Sequence, residues 1–251
     1  MASLRKSVLI TGCSKGGIGS ALAEVFQEKG YHVFATVRNP SKISHSLSSA
    51  KNVTVLDLDV LSSGSIAAAV QSVKAATNGR LDVLVNNSGS TMVVPALDTS
   101  IDDAKKLFDL NFWAPMAMLQ AFAPLLINAK GCIVNNTSVN GQVPMGFMSG
   151  QLSQQLARPG VMSSHYYEVR QFIHDIADGR LQESAITPRQ YASQVVRAVE
   201  KGATGNVWAG TSAFMIRLAC WLSPQSVMDM LVESIVPVRK EMSQAAQKKR
   251  A

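Results

Sequence analysis

The chain has little from which to build a disulfide framework or a metal site. Its three cysteines, Cys13, Cys132 and Cys220, lie far apart in 251 residues and in settings without ligand spacing. That pattern fits buried thiols in a reducing compartment and predicts no bound zinc or other metal. Long apolar runs are scarce as well. Ala213 to Leu222 is interrupted by Arg217 and is too short to span a bilayer, and the N-terminus runs straight into a strand pattern. Neither a transmembrane helix nor a signal peptide is expected, and a cytoplasmic location follows. No nucleic-acid binding motif accompanies the formal net charge of +7, so nucleic acid is excluded as a partner. Part of that charge sits in a C-terminal cluster, Arg239, Lys240, Lys248, Lys249 and Arg250. A solvated tail accounts for it. Peripheral contact with a membrane surface is the sharper alternative, because Phe214, Leu218, Trp221, Leu222 and the segment 227–236 set apolar faces beside the cations.

What is present is enough for one core. A hydrophobic content of 47% over residues 1–251, with no linker or internal repeat, predicts a single domain. Short β-rich runs at Ser7 to Thr11, His32 to Val37, Val53 to Leu58, Val83 to Asn87 and Cys132 to Asn136 alternate with helical patterns at about 20–35, 62–77 and 102–129. The rhythm predicts an α/β fold with a doubly wound parallel sheet, its nucleotide-binding core spanning residues 1–150. Beyond Gly150 the rhythm changes. Tyr166 to Asp178 and Pro188 to Lys201 read as helices, the second with Thr187 as N-cap, and Val207 to Ala209 offers a short last strand.

Thr11 to Gly19 reads Thr-Gly-Cys-Ser-Lys-Gly-Gly-Ile-Gly between the first strand and the first helix. Gly12 permits the tight exit from the strand, Gly17 lets the backbone approach a pyrophosphate, and Gly19 lets the helix pack on the sheet; Lys15 and Ile18 complete the loop. The second strand ends in Thr36-Val37-Arg38-Asn39, with no Asp or Glu to hold ribose hydroxyls. Arg38 and Lys15 suit a 2′-phosphate instead, so NADP is the expected cofactor.

With Asn86-Asn87-Ser88-Gly89 closing the fourth strand, Asn111 inside a helix and Ser138 after the fifth strand, these motifs resemble the short-chain dehydrogenase/reductase family. The style of the glycine-rich turn and of Val33 to Pro40 is similar to the fungal branch around 1-acyldihydroxyacetone-phosphate reductase. The resemblance covers the first 150 residues throughout and the remainder more loosely. It implies a Rossmann-like sheet, NADPH, a carbonyl or lipid-like small-molecule substrate, possible homo-oligomers, and for some relatives a place at the endoplasmic reticulum or lipid droplet. It further implies that Asp59 lies near the adenine, that Asn86 steadies the central strand behind the cofactor, that Ser138 polarises a carbonyl and that Asn111 positions a proton-relay water.

One element of the family is not in the sequence. Its Tyr-x-x-x-Lys pair follows the serine by about a dozen residues, where this chain has Ser149-Gly150-Gln151-Leu152-Ser153-Gln154-Gln155. Residues 152–161 match the end of a lost catalytic helix, or Pro159-Gly160 matches the family's turn beside the nicotinamide. Either alignment removes some forty residues of the family pattern, the catalytic helix and one late strand among them, and leaves 151–251 as a shortened substrate side. The loss would uncover a stripe of Phe112, Met116, Leu119, Phe122 and Leu126 on the 102–129 helix. Three readings stay open: a reductase with impaired or rewired hydride chemistry, in which Tyr166 and Arg170 form a displaced pair; a redox-silent isomerase, cyclase or binding protein using the same pocket; and a product of altered splicing or a misdrawn gene.

Overall fold

The structure is a computed structural model that describes residues 5–138, 167–178, 180, 185–211, 213–222, 224, 227, 230, 233, 234 and 237–248. These gather into two compact units. The first, Met1–Gly89, Asp109–Thr137 and Ile186–Gly210, holds the sheet. Its strands are β1 (Ser7–Ile10), β2 (His32–Val37), β3 (Val53–Asp57), β4 (Val83–Asn86) and β5 (Cys132–Asn135). All pair in parallel, in the order β3-β2-β1-β4-β5. The expected α/β sheet is therefore observed, each strand within a residue of its reading. Val207 to Ala209, by contrast, forms no strand; Ala209 packs against the core and the Gly210 N–H donates to Gln194 Oε1 at 3.1 Å.

β1 and β4 are buried on both faces, which is why Val8-Leu9-Ile10 and Val83-Leu84-Val85 read as continuous apolar runs. One face packs on α1 (Ile18–Glu28) and the other on α2 (Ser63–Thr77). Chain order next brings α3 (Ile101–Phe108), which belongs to the second unit, and a π-helical turn, Asp109–Trp113, which leads into α4 (Ala114–Ala129). The helix expected over 102–129 thus runs unbroken over Ile101–Ala129, with the π-helical turn inside it. By length and composition alone, Ile101–Ala129 is long and apolar enough to cross a membrane, unlike any run foreseen from the sequence. In the sheet unit Met118, Phe122, Leu125 and Leu126 of that helix pack into the core. The expected stripe divides accordingly. Phe122 and Leu126 are core, whereas Phe112 and Met116 are exposed.

The second unit, Ser90–Phe108, Ser138–Ala185 and Thr211–Ala251, carries α3 and α5 (Arg170–Ala177), whose Ile173 buries against Val169 and Val93. In the first unit α6 (Pro188–Glu200) begins as the sequence predicts. Thr187 and Gln190 form a reciprocal capping box, and Ala192, Val195 and Val196 pack in the core with α1. The second unit ends with α7 (Ala213–Leu222) and α8 (Val238–Lys248).

Phe122 is fully buried, so Phe122→Ala is expected to cost about 3–5 kcal/mol. Thr187→Ala, which removes one cap on an exposed turn, is expected to cost about 1 kcal/mol. Urea denaturation of the two variants checks the ranking.

Candidate nucleotide site

β1 delivers the chain to Gly12, whose φ of +77° is open to glycine at little cost. Thr11 anchors the exit. Its N–H donates to the Val85 carbonyl at 3.0 Å, and its hydroxyl accepts the N–H groups of Asn87 and Ser88, both at 2.8 Å. The Asn87 side-chain amide then donates to the carbonyls of Thr11 (2.8 Å) and Gly12 (3.3 Å). Helix α1 starts hard against this turn: a Cβ on Gly19 would fall on the Gly12 carbonyl and within 2.6 Å of Asn87 Nδ2. Its N-cap, Gly17, supplies no side-chain acceptor and the first turn carries no acid, so the leading N–H groups suit an anionic ligand. Cys13 lies beneath the turn, fully buried, with its N–H on the Thr36 carbonyl at 2.9 Å. Burial pushes its thiol up to about 12. Cys132 and Cys220 are exposed, contrary to the expectation that all three thiols are buried.

Arg38 follows β2 directly and is exposed, as is Lys15 in the turn. The structure adds a third cation. The Lys15 N–H donates to the Lys42 carbonyl at 2.8 Å, which ties the glycine-rich turn to the 3-10 turn Pro40–Lys42. Asn39 caps that turn, accepting from the N–H (3.0 Å) and hydroxyl (2.8 Å) of Ser41. None of the described ion pairs involves Lys15, Arg38 or Lys42. Lys42 was missed because its relevance comes from a backbone contact 27 positions away along the chain; the Asn-Pro-Ser-Lys turn pattern was the available signal. Asp59 holds its own loop, accepting the Leu61 N–H at 3.0 Å.

At the ends of β4 and β5 two asparagine pairs face opposite sides of the sheet. Asn86 Nδ2 donates to Asn135 Oδ1 and Asn136 Nδ2 donates to Asn87 Oδ1, each at 2.9 Å. Asn86 is nine-tenths buried and its Oδ1 has no hydrogen-bond partner. The amide that grips the glycine-rich turn is that of Asn87, its neighbour, which the sequence reading passed over. Asn111 sits in the π-helical turn, with Oδ1 3.2 Å from where a Cβ on Gly89 would stand, and so flanks the loop after β4. Ser138 is exposed and follows the end of β5 by three residues. Of the displaced pair, Tyr166 lies outside the described residues, as do residues 149–161. Arg170 is engaged by Tyr167: its guanidinium stacks 3.9 Å from the ring centroid and donates to the Tyr167 carbonyl at 2.8 Å.

The family profile of short chain dehydrogenases matches residues 6–150. The chain is 50% identical over 138 residues to the short-chain dehydrogenase cctT of Talaromyces islandicus, covering 55% of this chain and 48% of that one. It is 42% identical over 142 residues to the NADPH-dependent 1-acyldihydroxyacetone phosphate reductase of Schizosaccharomyces pombe, covering 57% and 47%. These matches span about half the relatives' length. The short-chain dehydrogenase srdE of Neurospora crassa aligns end to end, at 30% identity over 289 residues, 98% of this chain and 97% of its own. Because that alignment is longer than the chain, srdE carries about forty residues without a counterpart here. Among solved structures, a metagenomic short-chain oxidoreductase in complex with NADP superposes with a TM-score of 0.58 at 27% identity, over 79% of this chain and 92% of that one.

The folded Cys13 thiol keeps its proton until about pH 12, whereas the unfolded thiol ionises near 9.0. A raised folded pKa contributes stability that is fully present below pH 9 and is lost as pH climbs toward 12. The slope contributed by Cys13 is about 1.4 kcal/mol per pH unit above 9, and the Cys13→Ala variant is expected to show a slope smaller by that amount. Urea melts from pH 8 to 10.5 measure it.

Proposed function

The chain belongs to the short-chain dehydrogenase family, and on that premise we propose that its glycine-rich turn binds NADP(H). The observation that carries this is the set of exposed cations, Lys15, Arg38 and Lys42, beside a β2 end that bears no acid. Gly12, Gly17, Ile18 and Gly19 supply the backbone cradle, Asp59 the adenine side and Asn86 the strand behind. An NADPH-dependent fungal relative and an NADP-bound structural neighbour support the same cofactor. When bound, NADPH supplies a hydride. Ser138 polarises the carbonyl of a small or lipid-like substrate, and Asn111 holds a water for proton relay.

Ordinary hydride transfer is impaired in this reading. Of the chain's four tyrosines none is followed four residues later by lysine, and no lysine lies between Lys130 and Lys201. Loss of a positioned general acid lowers a rate by about 10²–10⁴. A redox-silent isomerase or cyclase in the same pocket is the alternative, and copies associate through exposed Phe112, Trp113 and Met116. A second, independent reading concerns location. No residue of α7 is buried, and Phe214 (71% exposed) and Trp221 (80%) project with Arg217 on a helix that lacks acids, which suits the interface of an anionic membrane.

Fluorescence titration is expected to show tighter binding of NADPH than of NADH, with Arg38→Asp weakening NADPH about tenfold or more and reversing the preference. Equal affinities would count against the assignment. Consumption of NADPH with a ketone panel is expected to stay near background, and ordinary enzyme rates would overturn the impairment. Co-sedimentation with phosphatidylserine vesicles is expected for the full chain and lost in Trp221→Ala; binding unaffected by that change removes the membrane reading.

A further inference from the structure

We infer that Tyr191, through Asn136 and Asn87, is a positioning residue for the cofactor: a directed chain of hydrogen bonds from α6 sets the glycine-rich turn. The inference rests on the reading of that turn as the NADP(H) site. The Tyr191 hydroxyl donates to Asn136 Oδ1 at 2.6 Å. Asn136 Nδ2 donates to Asn87 Oδ1 at 2.9 Å, and Asn87 Nδ2 donates to the carbonyls of Thr11 and Gly12 at 2.8 and 3.3 Å. All of these residues belong to the sheet unit.

The polarity of the chain runs one way. Two backbone carbonyls can only accept, so Asn87 must present its nitrogen to them and its oxygen to Asn136. Asn136 must then present nitrogen to Asn87 and oxygen outward. The outer oxygen needs a donor, and the Tyr191 O–H is the one that meets it. Aligned bonds of this kind polarise one another, so removing the terminal donor loosens the whole series rather than one link. Capping and packing of α6 hold the ring in place: Tyr191 lies in the first turn after Thr187 and packs against the core shared with α1. Its burial also raises its pKa from the ordinary phenol value. At the far end the margin for movement is small. The Gly12 carbonyl lies where a Gly19 Cβ would be, so shifting that carbonyl shifts the start of α1 and with it the N–H groups that face a phosphate.

Cys13 provides a readout of the turn that does not depend on activity. Its thiol is sealed beneath the turn, whereas Cys132 and Cys220 are exposed, so a thiol-reactive disulfide labels two sites quickly and Cys13 in a slow phase set by opening of the turn. In the full chain, Tyr191→Phe is expected to speed the slow phase and to raise the Kd for NADPH, each by about three- to tenfold. It should leave the NADPH-to-NADH preference unchanged, since the cations are untouched. In an Asn87→Ala background, Tyr191→Phe is expected to change neither quantity further, an outcome that a general loss of stability would not produce. Should Tyr191→Phe fail to fold, Asn136→Ser cuts the same series at its middle and is expected to act alike. Wild-type labelling and affinity in Tyr191→Phe, or effects that multiply with those of Asn87→Ala, overturn the relay alone. Absence of NADPH binding by the wild-type chain overturns the cofactor reading and the positioning role with it.

Discussion

Helix α1 begins where no side chain fits. The Gly12 carbonyl, the Asn87 amide and the Gly19 Cα share a space that one additional methyl would fill, and the geometry of the nucleotide end of the sheet follows from that closeness. The turn after β1 must carry a residue able to adopt a positive φ, the helix must open without a side-chain cap, and the loop after β4 must lie close enough for Asn87 to reach across. Each requirement selects a residue type. Glycine meets the first two and a short amide meets the third.

The same closeness explains why the polar groups at this end of the sheet are arranged as they are. Buried backbone carbonyls need donors, and an amide side chain supplies one while leaving its own oxygen to be satisfied. Asn87 passes that demand to Asn136, and Asn136 passes it to Tyr191. Cys13 sits under the arrangement as a small apolar filler, donating weakly from Sγ to the Ile10 carbonyl at 3.3 Å.

Much of this arrangement is legible in the amino-acid sequence. Strands read well because β1 and β4 are buried on both faces and the turn between β1 and α1 carries glycines at diagnostic spacing. The α6 cap was visible as Thr187 ahead of Pro188, whereas its partner Gln190 came from the structure. Errors arose where tertiary contacts override local pattern. Nothing in Asn86-Asn87 distinguishes the asparagine that faces α4 from the one that faces α1, because that depends on the phase of β4. The π-helical turn at Asp109–Trp113 has no proline or glycine to announce it inside an otherwise continuous helix, and Val207 to Ala209 had strand-like composition but no neighbour in the sheet. Lys42 and Tyr191 were missed for one reason: each matters through a partner distant in sequence.

The paired asparagines at the ends of β4 and β5 also act as a vernier on the sheet. Asn86 and Asn135 are register partners on one face, and the Asn87–Asn136 bond lies one step further on the other. Side chains alternate faces along a strand, so sliding β5 by a single residue would set each asparagine against the wrong side and break both amide bonds together. Apolar strands tolerate such slips more readily, since one valine opposite another differs little from the next. Two consecutive amides at the end of each strand make misalignment costly where the carbonyls of the turn are held.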